Sequence, residues 1–240
     1  MIILGLDVET TGLEPKEDDI TELGMVLWNT EEGKPVRMYN EYNQSLEKEI
    51  PEDVVKLTGI TDSMCKYHGV PRTELAIKFN DFAEQADYIM AHNAPFDRAF
   101  ILENLQSGSD RKWLCSKGHI KYPEEFRSKS LVPLAAYHGF LNPFAHRAIF
   151  DVLTMLRVAQ HYDWQDIVTR SEQPYVTIKA MVPFERKDEA KEAGFRWNPL
   201  KKIWWREMIR SELAEFVGEL KFDVIELGER NYFDADPNQA

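Results

Sequence analysis

Cysteines and long apolar runs are both scarce in this chain. Only two cysteines, Cys65 and Cys115, occur among 240 residues, so no disulfide framework is predicted and a reducing compartment is favoured. The N-terminus has no basic region followed by a long apolar stretch, and no apolar run approaches the length of a membrane span. We therefore expect a soluble, cytoplasmic protein that does not associate with membranes.

Basic residues are also in short supply. Lysine and arginine total 29 against 41 acidic residues, which gives a formal net charge of −12. Proteins that hold long nucleic acids rely on many lysine and arginine contacts to phosphates. The charge balance therefore argues against a broad basic surface. If the protein binds a nucleic acid, the contacts are expected to be concentrated at a small site, or to be helped by a second module or a partner.

Acidic residues recur in three short segments where core packing does not require them. The apolar residues 2–6 predict a buried strand, which leads into Asp7 and Glu9. Side chains alternate along a strand, so both carboxylates point to the same face. Two like charges on one face repel each other unless a cation lies between them. Asp97 and Asp151 are further acids; each alone would suit the first turn of a helix, but the set predicts a metal site.

Together, these segments resemble the motifs of the DnaQ-like, or DEDD-type, 3′–5′ exonucleases of the histidine subgroup. The first family motif, Asp-x-Glu, is matched by Asp7 and Glu9. The second, an asparagine followed by Phe-Asp, is matched by Asn93, Phe96 and Asp97, and the third, His-x-x-x-x-Asp, by His146 and Asp151. All three occur in the family's order and spacing. The resemblance covers the larger, N-terminal part of the chain.

The resemblance implies that Asp7, Glu9, Asp97 and Asp151 bind two divalent metal ions, with Mg²⁺ as the expected cofactor and Mn²⁺ as a substitute. Such hard cations prefer carboxylate oxygens, and a pair of them can clamp the attacking and leaving oxygens of a phosphodiester. His146 is the expected general base, because histidine can accept a proton near neutral pH. Glu9 is also expected to act in catalysis. Without the other motifs, His146 would more often be a surface or core histidine.

The residues after Glu9 are expected to hold the terminal nucleotide. Thr10, Thr11, Gly12 and Leu13 continue the first motif. The resemblance implies that the Thr11 backbone N–H meets the 3′ end and that Leu13 wedges against the last base. Gly12 is expected to use a positive φ for a tight turn, although it could also belong to an ordinary turn.

Two residues of the second motif, Asn93 and Phe96, are also expected to contact the substrate. An asparagine in an exposed turn is the commoner alternative for Asn93. Residues 113–116 (Trp-Leu-Cys-Ser) stand where family members often carry Asp-Thr, so this chain departs from the family there.

Strand and helix patterns alternate along the first 165 residues, which predicts the α/β class. The resemblance implies a ribonuclease H-like mixed sheet flanked by helices. Strands are predicted at residues 20–28, 35–42 and 87–91 after the first, and helices at 51–57, 72–84, 95–105, 131–138 and 147–162.

A polar stretch over residues 166–174 predicts a boundary between an exonuclease domain, residues 1–165, and a small α+β accessory domain, residues 175–225. The second piece is similar to a domain appended to exonuclease X-type enzymes, with its Gly-x-Arg-Trp-Asn signature. Residues 175–221 hold ten basic and eight acidic residues, so this part is mildly basic. Residues 228–240 are expected to form a flexible acidic tail.

The accessory domain is expected to contact nucleic acid through lysine and arginine side chains interleaved with aromatic rings. The cations suit phosphates, and the rings suit stacking on nucleobases. The alternative is that the tryptophans only form a small core. The expected contact residues are Arg196, Trp197, Lys202 and Trp204.

The expected activity is metal-dependent 3′–5′ hydrolysis of single-stranded or frayed DNA, with release of nucleoside monophosphates. DNA 3′ ends are thus the expected partner, and a replication or repair protein is a candidate second partner. Three alternatives stay open: an exoribonuclease acting on short RNA, a proofreading subunit beside a polymerase, and an inactive binding module. The complete set of four carboxylates and His146 argues against the last.

Overall fold

The computed structural model describes residues 1–108 and 110–234 and divides into two compact units. The first unit covers Met1–Val168 and the second begins at Thr169. Within the described ranges, no helix is both long and apolar enough to cross a membrane.

The first unit is built on a mixed five-stranded sheet with the order β3-β2-β1-β4-β5. Strand β1 pairs antiparallel with β2 and parallel with β4, and β5 continues the parallel side. The strands are β1 Ile2–Thr10, β2 Ile20–Asn29, β3 Lys34–Tyr42, β4 Tyr88–Ala91 and β5 Trp113–Cys115. The predicted α/β class with a mixed sheet is confirmed.

Eight helices accompany this sheet within the described residues, and α7 packs against both β1 and β2. They are α1 Glu52–Thr58, α2 Asp62–His68, α3 Arg72–Glu84, α4 Ala94–Asn104, α5 Ser116–His119, α6 Leu131–Tyr137, α7 Ala148–Ala159 and α8 Trp164–Ser171. Val152, Met155 and Leu156 of α7 are almost fully buried in the core formed with β1 and β2. This packing brings the end of β1 and the start of α7 together.

Three helices differ from the sequence-based expectation, and one of them, the short α5, lies in a stretch for which no helix was predicted. Helix α2 lies outside the predicted helices; its start is capped by Thr61, whose hydroxyl accepts the Met64 N–H. Helix α8 occupies part of the stretch predicted to be a polar boundary. Its Trp164 and Ile167 are buried in the core of the first unit, so the expected limit at residue 165 falls inside a helix.

The second unit is a small α+β structure, as predicted. Its sheet is antiparallel with the order β7-β8-β6-β9, and its core contains Val176, Ile178, Phe195 and Met208. The elements are β6 Tyr175–Ala180, α9 Lys187–Glu192, β7 Arg196–Asn198, β8 Ile203–Ile209, α10 Leu213–Glu219 and β9 Val224–Arg230.

The expectation of a tail that starts at residue 228 is wrong for its first residues. Gly228 and Arg230 belong to β9 and pair with β6. Arg230 also forms an ion pair with Glu207, with Nε and Oε1 2.7 Å apart. Pairing to a neighbouring strand holds a polar segment in place that has no apolar pattern of its own. Residues 235–240 lie outside the described residues.

Candidate active site

The first carboxylate pair lies at the end of the central strand, on the face covered by α7. A side chain at Gly5 would meet Leu156 and Val152 of α7, and strand alternation puts Asp7 and Glu9 on the same face as Gly5. Burial raises the pKa of Asp7 well above its ordinary value, and the neighbouring Asp97 and Glu9 raise it further. The two predicted acids of β1 therefore share one face.

The third carboxylate comes from the first turn of α4. Asp97 is 2% exposed, and its Oδ1 accepts the Val8 N–H at 3.2 Å. This hydrogen bond ties the start of α4 to β1. Burial raises the pKa of Asp97 to about 8, although the hydrogen bond from Val8 opposes the shift.

The fourth carboxylate and the histidine come from the start of α7. Asp151 accepts the His146 N–H at 2.8 Å on Oδ2 and the Asn142 Nδ2 at 2.5 Å on Oδ1. Potential metal-ligand atoms of Glu9, His146 and Asp151 all lie within 4.8 Å of one another. His146 is exposed and has φ 63°, a left-handed conformation that is uncommon for a residue other than glycine.

Negative charge dominates the electrostatics of this cluster. Burial raises the pKa of Glu9 to about 8, with further contributions from Asp151 and Glu22, and the guanidinium of Arg147 opposes the shift. Burial also raises the pKa of Asp151. Buried carboxylates that repel one another are stabilised by a bound cation, and their hard oxygen atoms match the preference of divalent ions such as Mg²⁺. The residues present therefore fit a divalent metal site.

The turn after β1 is held by internal hydrogen bonds. Thr10 Oγ1 donates to the Gly12 carbonyl oxygen at 2.6 Å. The Thr11 N–H donates to the Asp19 carbonyl oxygen at 2.9 Å, and its hydroxyl donates to Asp18 at 3.2 Å. The expected contact between the Thr11 N–H and a 3′ end differs from this arrangement, because that N–H already has an acceptor.

The role expected for the backbone of Gly12 is also corrected. Gly12 does not have a positive φ. Instead, a Cβ atom at Gly12 would lie 2.4 Å from Oδ2 of Asp18, so an added side chain would force this carboxylate to move. Leu13 is 77% exposed, which leaves its side chain accessible to a ligand.

The two further residues of the second motif occupy the start of α4. Asn93 is exposed, precedes the helix and has φ 87°. Phe96 is half-buried, and its ring centroid lies 4.9 Å from that of Phe100. Phe96 therefore packs within α4 and keeps only part of its surface accessible.

Two families match different parts of this chain. A family described as "Exonuclease" matches residues 4–159. The chain belongs to this exonuclease family. A domain of unknown function matches residues 176–227.

Relatives of this exonuclease include bacterial DNA polymerases. The DNA polymerase III PolC-type of Staphylococcus haemolyticus is 31% identical over 151 residues, which is 60% of this chain and 10% of that protein. The PolC-type polymerase of Clostridium perfringens is 36% identical over 100 residues, which is 41% of this chain and 6% of that protein. The chain thus matches about a tenth of the length of these relatives or less.

Two solved structures establish the fold of the exonuclease domain. The zinc-bound complex of E. coli ExoI with single-stranded DNA has a TM-score of 0.60 at 17% identity, covering 73% of this chain and 47% of that one. The nuclease domain of 3′hExo, a DEDDh family member bound to rAMP, has a TM-score of 0.56 at 18% identity, covering 67% and 90%. The predicted ribonuclease H-like fold is confirmed.

Sequence reasoning missed an ion pair beneath the site of this exonuclease. Glu22 of β2 is fully buried directly across from Glu9, and its carboxylate accepts hydrogen bonds from Arg147 and from the Ala148 N–H. Arg147 also donates to the Tyr42 hydroxyl at 2.6 Å. One signal was available, since Glu22 is the only charged residue of β2.

The segment that departs from the family also reaches the second motif. His92 Nδ1 and Ser116 Oγ lie 2.7 Å apart, and burial lowers the pKa of His92 to about 4. Ser116 therefore fixes the ring of the residue that precedes Asn93.

The four residues of the accessory domain that are expected to contact nucleic acid do not all lie at one place in the second unit. Trp197, Lys202 and Trp204 line one cleft. The guanidinium of Arg196 instead lies 5.0 Å from the ring of Trp205, which is buried.

Proposed function

We propose that this exonuclease hydrolyses nucleic acids from the 3′ end, with single-stranded or frayed DNA as its substrate and nucleoside monophosphates as products. The observation that carries the proposal is the convergence of four carboxylates and one exposed histidine at one edge of the sheet. Asp7, Glu9, Asp97 and Asp151 come from β1, α4 and α7, and His146 lies beside Asp151.

Two divalent ions, Mg²⁺ or Mn²⁺, are the cofactors that this donor set fits. Asp7, Glu9, Asp97 and Asp151 would hold them. When bound, such ions neutralise the charge on the scissile phosphate and on the attacking and leaving oxygens. The raised pKa values of Glu9 and Asp97, both about 8, support this assignment, since burial is the largest cause of each shift and a bound cation would stabilise buried carboxylates.

His146 is proposed to be the general base that accepts the proton of the attacking water. It is exposed, and its backbone is held to Asp151 through a hydrogen bond, so its ring stands at the rim of the site. A carboxylate oxygen of Glu9 lies within 4.8 Å of an imidazole nitrogen of His146. The exposed side chain of Leu13 and the exposed Asn93 are positioned to contact the terminal nucleotide.

The relatives and one structural neighbour favour DNA over RNA as the substrate. The PolC-type proteins that match at 30–36% identity are DNA polymerases, and E. coli ExoI was solved with single-stranded DNA. The 3′hExo neighbour was solved with rAMP. RNA is therefore the second substrate to test, and a polymerase or a repair protein is the candidate protein partner.

Oligonucleotides carrying a 5′ label test the direction and the substrate together. We expect single-stranded DNA to shorten stepwise in Mg²⁺ or Mn²⁺ and to stay intact in EDTA, with Asp7→Ala as the inactive control. Duplex DNA with blunt ends should react more slowly, and an RNA of the same sequence measures discrimination. Immediate appearance of a labelled mononucleotide would indicate 5′–3′ hydrolysis and overturn the proposed direction.

The same assay tests the base. His146→Ala should reduce turnover by roughly 10²–10⁴-fold, as is typical when a general base is removed. The affinity for Mn²⁺, measured by calorimetry, should survive the substitution. A collapse of metal affinity in His146→Ala would mean that the imidazole is a ligand instead of a base.

A further inference from the structure

The second unit contains an open cleft of about 440 Å³ between the segment that follows β6 and the β7–β8 hairpin. One wall is the segment between β6 and α9, with Met181 and Phe184. The other wall is the β7–β8 hairpin, with Trp197, Lys202 and Trp204. All of the residues that line the cleft belong to the second unit.

Two of its aromatic rings are not needed for the core of this unit. Phe184 is 75% exposed and Trp197 is 47% exposed. The core is formed by other residues, against which Trp204 packs only in part. A small domain that needed bulky anchors would bury these rings, so their exposure into one cleft favours a ligand with flat apolar surfaces.

The charge of the cleft points to an anionic occupant. Lys179 and Lys202 line it, and no carboxylate does so among the described lining residues. Lys187 adds a further cation, with Nζ 4.3 Å from the ring centroid of Phe184. This distribution contrasts with the net charge of −12 for the whole chain.

We propose that this cleft binds a segment of single-stranded nucleic acid, with bases stacked on Phe184 and Trp197 and phosphates beside Lys179 and Lys202. Stacking on aromatic rings combined with lysine contacts to the backbone is the general means of holding single strands without sequence preference. The rings of Trp197 and Trp204 have centroids 5.6 Å apart and are tilted by 54°, so they are not stacked on each other. A nucleobase can therefore stack on Trp197 without displacing Trp204. The cleft binds nucleic acid whether or not the first unit hydrolyses it.

The test measures the affinity of the full chain for a labelled single-stranded oligonucleotide in EDTA, by fluorescence anisotropy at several salt concentrations. Hydrolysis does not occur in this assay, so its outcome is separate from that of the proposed activity. One double variant, Phe184→Ala with Trp197→Ala, removes the stacking surfaces. The other, Lys179→Ala with Lys202→Ala, removes the charges. Matched controls are Leu227→Ala, an exposed apolar residue of β9, and Lys191→Ala, an exposed lysine of α9.

The aromatic double variant should bind roughly ten- to a hundredfold more weakly at every salt concentration. Its salt dependence should stay unchanged. The lysine double variant should lose about 1.4 from the slope of log K against log salt, since a single strand contributes about 0.7 for each phosphate contact. Trp197→Phe should retain most of the affinity, because a smaller ring still stacks. Both controls should bind like the parent chain.

Circular dichroism checks that each variant is folded, which is expected because the four substituted side chains lie outside the core. Unchanged affinity and slope in both double variants would overturn the proposal and leave the cleft as a site for a protein segment. A loss in the lysine variant alone would overturn the stacking and leave only an electrostatic surface.

Discussion

At the scale of single residues, the buried carboxylates of Glu9 and Asp97 govern how the metal-free protein responds to pH. Both pKa values are raised to about 8, and burial is the largest cause in each case. A carboxyl group with a raised pKa in the folded state binds its proton more tightly there than in the unfolded chain. Its contribution to stability is therefore complete below the unfolded pKa, near 4, and is lost as the pH rises through about 8.

Asp97→Asn should accordingly raise the free energy of unfolding of the metal-free protein at pH 8 and flatten its decline between pH 5 and pH 8. The amide keeps an acceptor for the Val8 N–H, so the hydrogen bond to β1 is retained. Thermal unfolding in EDTA across this pH range measures the effect, with the exposed Asp53→Asn in α1 as the control. A parallel curve for Asp97→Asn and the parent chain would contradict the raised pKa. Adding Mg²⁺ should stabilise the parent chain more than Asp97→Asn.

Arg147 acts on the site through its neighbours. It connects the start of α7 to Glu22 and Tyr42, and it directly follows His146. Arg147→Ala leaves the fully buried Glu22 with fewer partners, which should cost about 1–3 kcal/mol of stability given that the arginine side chain is itself 32% exposed.

Loss of these contacts in Arg147→Ala should displace the neighbouring His146 and lower kcat by up to roughly 10²-fold, the order expected for misplacement of about 1 Å. The KM for a short oligonucleotide should change little, since the turn after β1, which is proposed to contact the terminal nucleotide, is untouched. Arg147→Lys should recover activity only in part, because lysine does not reproduce the bidentate contact of the guanidinium with both carboxylate oxygens of Glu22. The exposed Arg127→Ala is the control. A proportional fall of kcat in all three variants would argue against a positioning role.

At the scale of elements, helix α7 connects the core of the first unit to the carboxylate cluster. Its buried side chains pack on β1 and β2, and its first turn carries Asp151. The close approach depends on Gly24 of β2, where a Cβ atom would lie 2.6 Å from the backbone carbon of Ala148 and 2.7 Å from the nitrogen of Ile149. Backbone atoms cannot rotate away as a side chain can, so the helix would have to move.

Gly24→Ala should therefore displace the start of α7 and reduce both stability and activity, with a loss of about 1–3 kcal/mol typical of overpacking. Gly218→Ala is the matched control. Gly218 lies exposed in α10 with nothing within 4 Å of the added Cβ, so alanine there should stabilise the helix slightly. Chemical denaturation and turnover on a short oligonucleotide measure both variants. Full activity in Gly24→Ala would show that α7 can shift without disturbing the carboxylates.

At the scale of the whole molecule, the two units divide the expected work. The carboxylates, His146 and the turn after β1 all belong to Met1–Val168, whereas the aromatic cleft belongs to the second unit. Helix α8 crosses the division, and its Trp164 and Ile167 are buried in the first unit. A cut at residue 165 would therefore remove part of the first unit's core.

A chain of residues 1–172 should fold and hydrolyse short oligonucleotides about as well as the full chain. Its affinity for long single strands should be weaker, with a shallower salt dependence. A chain of residues 1–165 should be less stable than residues 1–172 by at least about 1.5–3 kcal/mol, the value of burying one isoleucine side chain. Thermal unfolding of the two truncations decides this point. Equal stability would mean that α8 adds nothing to the core.

The sequence alone was sufficient for features that depend on local periodicity. Alternation along β1 put Asp7 and Glu9 on one face, and the spacing of the third motif put His146 just before the helix that carries Asp151. These relations involve residues a few positions apart, and the period of a strand or helix determines them. The wide separation of the three motifs became interpretable through their resemblance to a known family.

Tertiary structure alone decided the features that depend on register and on packing between distant segments. The pairing of Glu9 with Glu22 follows from the alignment of β1 on β2, and the contact of Glu22 with Arg147 joins residues 125 positions apart. The same holds for the Thr11 N–H, which Asp19 accepts, and for Gly228–Arg230, which β6 holds in a sheet. No local period encodes such pairings, because they form only when whole elements pack against one another.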